Sequence, residues 1–378
     1  MENYIYCSVL VIFFAFIVVR AFEYKSYVIS GKLRTHIVLM FFVVVLCLLV
    51  AYRPLTISDA MPYYNRYYIE PNQTTLNDIL FASSFYRGTG YSMSKPVNLL
   101  FFLFYNMHIP YQMFVLTISI IEIALFLTYT YKILKEMDIS LNAYTLLVLC
   151  MLFYSTRYQF IAFAQGMAMC FGMPILYYVM KKKYVRALIL TVIASSFHIA
   201  ALYFAVIAVI YFFTIRMKNK TYALIWIFSG LFEFTSIGYR LGGTVSEFAD
   251  FVIKKIVSSN PLYEAYSNID DSFTISLANL LFWLLCGVLI MVHCDHELYW
   301  KLININLISI LVSSIFSQWG IVHRFTDISR MFIPLIVIMY LFDTKPVIVF
   351  PNRTNKLVTL TAIFGFGFMH SLSLWGFL

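Results

Sequence analysis

Charge is what this sequence has least of: 12% of its 378 residues are Asp, Glu, Lys or Arg, against a hydrophobic share of 62%. A soluble domain is about a quarter charged and about half apolar. With half that charge, the chain has no means of hiding its apolar surface from water, and a water-soluble globule is excluded. Cysteine is equally uninformative as a framework. Cys7, Cys47, Cys150, Cys170 and Cys286 lie inside apolar runs, where a thiol behaves as a small hydrophobe, and only Cys294 stands at a helix end. No paired spacing suggests disulfides or zinc. The run His293-Cys294-Asp295-His296 has adjacent rather than helically spaced ligands, so no metal site is expected there. Also absent are a Walker loop, a GxSxG elbow and an HExxH pair, which argues against an ATP-driven pump and a zinc protease. Nothing basic precedes the first apolar run, 4–22, whereas Arg20, Lys25, Lys32 and Arg34 flank its far end. That is the reverse of a cleavable signal, and a retained helix with its N-terminus outside is expected. There is no low-complexity tract and no repeat at a fixed period.

What the chain does have is apolar runs. A helix needs about 20 apolar residues to cross a bilayer, and spans are expected at 4–22, 35–52, 111–131, 141–156, 158–180, 219–234, 273–293, 302–318, 328–342 and 357–377. The net charge of +9 sits mostly in short loops between them, where Lys and Arg set topology, and a nucleic-acid partner is not expected. Basic linkers after Arg20, at Lys181–Arg186 and at Arg216–Lys220 anchor the cytoplasmic side and place both chain ends outside. The apolar stretch 184–214 has basic residues on both flanks and is too long for one untilted span. It is expected to form a hairpin of two short helices whose tip lies near Ser196-Phe197-His198. The run 92–107 must start and end outside, as a re-entrant or surface-lying helix. The resulting fold class is an all-α polytopic membrane protein of about 12 transmembrane helices. All of 1–378 forms one transmembrane domain, with outer loops at 53–96 and 235–272.

Most of the unusual chemistry collects on the outer side. Arg53-Pro54 closes a helix, and Asp59 is placed to cap another, with Pro62 in its first turn. There Tyr63 and Tyr67, like Tyr64 and Tyr68, share a face, with Arg66 between them. They read either as an aromatic shelf for a ring-shaped polar substrate or as an interfacial tyrosine belt. Glu122 sits mid-span in 111–131. A charge there is costly and usually faces the bundle interior, so Glu122 is expected to orient a cation such as Arg157, or else to be a protonated structural carboxyl. His198 at the hairpin tip is either a satisfied structural imidazole or a general base. In His323-Arg324-Phe325-Thr326-Asp327-Ile328-Ser329-Arg330, a helix would bring His323, Asp327 and Arg330 onto one face. Two guanidiniums at a membrane surface suit a pyrophosphate, and the bland alternative is snorkelling to lipid headgroups.

Taken in order, these pieces resemble the EpsG/Wzy-type family of bacterial polysaccharide polymerases. The resemblance rests on Arg53 with Ser58-Asp59 and Tyr63-Tyr64, then Gly90-Tyr91 before a short apolar run, and Thr156-Arg157 opening a helix that ends in Lys181-Lys182-Lys183-Tyr184. Ser195-Ser196-Phe197-His198 in a broken run and Arg324 with Arg330 at a late helix start complete it. It spans roughly residues 50–340. Tyr158-Gln159 departs from the more usual Gln directly after the arginine, and the residues around Arg324 match loosely.

The resemblance implies a metal-independent glycosyltransferase of GT-C-like architecture in the bacterial inner membrane, without cofactor, its active site facing the periplasm. It would transfer a growing O-antigen-type glycan of lipopolysaccharide from undecaprenyl pyrophosphate to the sugar of an incoming lipid-linked repeat unit. Asp59 and His198 would be the catalytic residues, and Arg53, Arg157, Arg324 and Arg330 would hold the pyrophosphate. Glu122, Tyr63, Arg66, Tyr91 and Asp327 would support them. Expected partners are the undecaprenyl-pyrophosphate-linked oligosaccharide, membrane lipid and a chain-length co-polymerase. An O-antigen ligase or other lipid-dependent glycosyltransferase is the neighbouring reading, and a lipid-linked oligosaccharide flippase or other transporter the reading from another class.

Overall fold

The computed structural model describes residues 32–56, 60–73, 75–81, 95–138, 163–235, 237, 277–294, 296–315 and 323–346. The expected spans 4–22, 141–156 and 357–377 lie outside these residues, as does most of the outer segment 235–272. The chain divides into two compact units, Met1–Ala205 and Val206–Leu378.

In the first unit the described elements are α1 (Lys32–Ala51), α2 (Ala60–Gln73), α3 (Leu76–Phe81), α4 (Lys95–Asn106) and α5 (Tyr111–Glu136). They continue with α6 (Phe163–Met169), α7 (Gly172–Met180), α8 (Tyr184–Phe197) and a 3-10 turn over Ile199–Leu202. Helix α1 packs on α5, α5 on α7, and α8 on both α6 and α7. The buried positions of α5, among them Phe114, Ile118, Glu122, Phe126, Ile133 and Leu134, recur every three or four residues and form one stripe. Ile120 and Ile121, on the opposite face, stand open. Leu188, Ile189, Val192 and Ile193 of α8 are open in the same way. A soluble monomer rarely leaves such contiguous apolar surface uncovered, and hydrocarbon is the solvent that suits it.

Among the described residues, three stretches are long and apolar enough to cross a membrane: Tyr111–Glu136, Phe163–Met180 and Glu297–Ile315. The middle one is the described part of the span expected at 158–180. It is broken at Cys170 and Phe171, where the amide of Phe171 bonds to Ala168 O at 3.4 Å in a 3-10 turn. Pro174 explains the break: it has no N–H to give the Cys170 carbonyl, and its ring crowds that oxygen.

Helix α4 has 12 residues and is about 18 Å long, too short to cross. It ends on His108, which adopts a left-handed φ of 56°. Its N–H bonds to Tyr105 O, and that of Ile109 bonds to Phe104 O, a Schellman closure that returns the chain to the start of α5. Helix α2 begins at Ala60, where Asp59 was expected to cap it, and packs on α4. The described residues of the 53–96 segment are therefore mostly helical. The break expected near 196–198 falls at His198, whose extended backbone (φ −155°, ψ 126°) ends α8.

The second unit contains most of α9 (Tyr203–Phe213), then α10 (Asn219–Phe234), α11 (Leu277–Ile290), α12 (Glu297–Ile315), α13 (His323–Arg330) and α14 (Ile333–Asp343). The strands among the described residues form an antiparallel ribbon, β1 (Val292–Cys294) with β2 (Thr344–Pro346), in which His293 faces Lys345. Helix α12 is the centre, packed against α10, α11, α13 and α14. Helices α10 and α11 meet through a reciprocal contact. The Trp226 and Trp283 rings stack at 4.2 Å, and each indole N–H donates to the other residue's carbonyl at 2.8 Å. Gly230 and Gly287, each four residues after a tryptophan, leave room for the opposing ring; a Cβ at either would come within 2.6 Å of it. The span expected at 328–342 is divided into α13 and α14 by a turn at Met331 and Phe332. Pro334 stands four residues after Arg330, as Pro174 does after Cys170, and breaks the helix for the same reason.

Candidate functional site

The outer candidates in the first unit gather where α1, α2, α5 and α6 meet. Arg53, just past the end of α1, is 6% exposed. Its guanidinium carbon lies 5.8 Å from the centre of the Phe163 ring, and the group sits beside the Tyr111 hydroxyl. Tyr63 meets the same Phe163 ring edge-on at 5.5 Å and Phe101 at 6.5 Å. Arg53 and Tyr63, ten residues apart in sequence, thus converge on one phenylalanine that sequence reasoning had passed over. Arg66 is also buried.

The remaining tyrosines of α2 are used by the fold. Tyr67 is fully buried against Phe101, Tyr105, Tyr111 and Phe114, and its hydroxyl donates to Ile109 O at 2.5 Å. Burial, with Tyr68 and Tyr105 adding to it, pushes the Tyr67 phenol up to about 12, so it stays protonated and donating. The Tyr68 hydroxyl accepts from the Tyr111 amide at 3.2 Å. These two residues bolt α2 to the turn between α4 and α5, a structural use beyond that of an interfacial belt.

Glu122 lies on the buried stripe of α5, 2% exposed, close enough to the Cys47 and Cys170 thiols to influence both. It faces the helix bundle, as a mid-span carboxylate should. Cys170 marks the turn before Pro174, so Glu122 stands beside the interruption in the 163–180 span. Gln165 and Asn98 are buried too, and the Asn98 side-chain oxygen has no hydrogen-bond partner among the described residues. A lone amide within an apolar run was the signal for both.

His198 caps the 3-10 turn after it: its Nδ1 accepts from the Ala200 amide at 3.2 Å. A ring nitrogen that accepts is unprotonated, so in the neutral imidazole the proton is on Nε2. Taking up a second proton at Nδ1 would open the cap.

In the second unit, α13 forms as the 323–330 spacing anticipated, with Asp327 and Arg330 on one face. They pair at 3.6 Å and are 5% and 6% exposed. The Arg330 guanidinium lies 4.5 Å above the Phe282 ring of α11 and close to Cys286. Helix α12, against which α13 packs, buries Asn304, Asn306, Ser309, Ser313 and Ser314 within an otherwise apolar sequence. The Asn306 amide donates to Leu302 O, while its oxygen has no partner among the described residues. Sequence reasoning missed this polar row, although two asparagines two residues apart in a membrane-length apolar run were visible. Asp59, Tyr91 and Arg157 lie outside the described residues, and Arg324 is located only as a backbone position on α13.

A buried carboxyl inside an apolar helix, buried arginines, exposed apolar stripes and membrane-length spans define a helical integral membrane protein carrying polar groups in its interior. Its family is known: the chain matches the EpsG family over residues 36–375 and belongs to it. At that level it is a membrane protein of the polysaccharide-polymerase type. No curated protein and no solved structure matches it.

Proposed function

We propose that this chain elongates a polysaccharide at the outer, periplasmic face of the inner membrane, by moving the growing glycan from undecaprenyl pyrophosphate to an incoming lipid-linked repeat unit. The family match over nearly the whole chain carries the proposal. In the reaction, the bond between the sugar's anomeric carbon and the pyrophosphate oxygen breaks and a bond to the acceptor hydroxyl oxygen forms. The hydroxyl proton passes to a base, and undecaprenyl pyrophosphate leaves with its charge. Fixed guanidiniums stabilise charge that develops as that bond breaks, and Arg53, Arg157, Arg324 and Arg330 are assigned this task. Arg330 offers its N–H donors in a rigid planar fork that matches pyrophosphate oxygens. Asp59 is the preferred base. His198, whose Nδ1 is held by the Ala200 amide, is better suited to donate from Nε2 than to take up a proton. About twelve helices in a GT-C-like arrangement, with α4 re-entrant, would open a lateral path for two lipid-bound substrates.

The test is complementation of a strain deleted for its own polymerase, with the surface glycan resolved on a gel. Wild type should restore a ladder, and Arg157→Ala or Arg330→Ala should leave single repeat units on the acceptor lipid. Absence of all repeat units from the surface without this chain would point instead to a ligase or a flippase.

A further inference from the structure

Helices α5 and α7 end together. Glu136 at the last turn of α5 forms an ion pair with Lys181, the residue after α7. Two membrane-length stretches therefore run parallel and reach the same face, and the basic residues that follow them identify it as cytoplasmic. Around these ends stand Lys132, Lys135, Lys181, Lys182, Lys183 and Arg186, all exposed, against two carboxylates, Glu136 and Asp138. Beneath them lies a compact aromatic triad. Tyr129 meets Tyr177 at 5.6 Å and Tyr178 at 5.9 Å, Tyr177 meets Tyr178 at 5.5 Å, and the Tyr129 and Tyr178 hydroxyls are 3.2 Å apart. The Lys132 ammonium sits 4.4 Å from the Tyr129 ring centre and 5.9 Å from that of Tyr177. The Arg186 guanidinium sits 5.7 Å from Tyr178. Unlike Lys181, neither cation is paired with a carboxylate among the described residues.

Loose lysines would be enough to set topology. Here two cations from different helices are instead held over one tyrosine cluster, which fixes their positions by cation–π attraction and removes part of the freedom that an ordered ligand would otherwise have to freeze. Tyrosine hydroxyls at the same level add donors. The patch lies where helices leave the hydrocarbon, at the depth of lipid headgroups, and the cytoplasmic leaflet is the anionic one. We propose that Lys132, Arg186 and the Tyr129–Tyr177–Tyr178 triad form a binding site for the phosphate of an anionic phospholipid headgroup. The lipid would brace the α5 and α7 ends on the side opposite the proposed reaction.

Native mass spectrometry of the full chain in detergent, with phosphatidylglycerol and phosphatidylcholine added in equal amounts, tests this. Wild type should retain phosphatidylglycerol preferentially. The Lys132→Gln/Arg186→Gln pair should weaken that retention roughly tenfold or more, while Lys218→Gln/Lys220→Gln, in another exposed basic linker, should leave it unchanged. Equal retention of the two lipids by wild type would overturn the proposal. So would an equal loss in both double variants, which would mean general charge attraction. A second reading uses wild type alone and stands even if a variant fails to insert: phosphatidylglycerol should raise the melting temperature and phosphatidylcholine should not. If inorganic phosphate produces the same rise and displaces the lipid, the site binds a phosphate ion and the lipid assignment is wrong.

Discussion

Arg330 and Asp327 form a buried pair on which the structural role and the proposed pyrophosphate-binding role can be separated by experiment. Both are buried, and they face each other at 3.6 Å. Removing one member of a buried pair strands the other's charge and typically costs about 3–5 kcal/mol, whereas removing both costs much less. Arg330→Met should therefore lower the melting temperature sharply, and Arg330→Met/Asp327→Leu should recover much of the loss. Neither should restore long chains if Arg330 holds the pyrophosphate; recovery of both stability and chain length by the double variant would make the pair purely structural. The helix that places these residues was readable from their spacing of three. The contact of Arg330 with Phe282 was not, because it depends on how α11 approaches. Glu122 is similar. Its cost in a membrane implied an inward face, but its neighbours Cys47 and Cys170 come from α1 and from the turn between α6 and α7.

At the scale of elements, prolines decide where helices stop. Pro174 and Pro334 were in plain sight, and each divides a stretch that hydropathy alone reads as continuous, since an apolar average is blind to a missing N–H. Candidate groups lie at both divisions: Glu122 beside Cys170 before Pro174, and Arg330 four residues before Pro334. The seam between α10 and α11 supplies the sharpest packing prediction. A Cβ at Gly230 would lie 2.6 Å from the Trp283 ring, and overpacking of this kind costs about 1–3 kcal/mol. Gly230→Ala and Gly287→Ala should each lower thermal stability by that order. The double variant should lose less than their sum, because both disturb one ring stack. Additive losses would show that the two contacts act independently. The W-x-x-x-G spacing occurs in both helices, yet only their antiparallel register turns two ordinary repeats into a lock.

For the whole molecule, the prediction concerns orientation. A cysteine introduced by Asn65→Cys on α2 should react with a membrane-impermeant thiol reagent in intact cells, and one from Lys182→Cys only after permeabilisation. The reverse pattern would invert the topology and put the proposed chemistry on the wrong side. That the chain lives in a membrane follows from composition alone, because 12% charge cannot solvate a globule of this size. Where lysine and arginine fall predicts the direction of its helices, and Glu136 with Lys181 shows that α5 and α7 end side by side. These properties are sums along the chain, which a sequence carries explicitly. Tertiary structure decided what depends on meetings between distant segments. Tyr67 became a fully buried bolt instead of a belt residue, Phe163 became the ring shared by Arg53 and Tyr63, and His198 gave its Nδ1 to a backbone amide. In each case the side chain's chemistry was known beforehand, but its role was set by a neighbour whose approach no local pattern specifies.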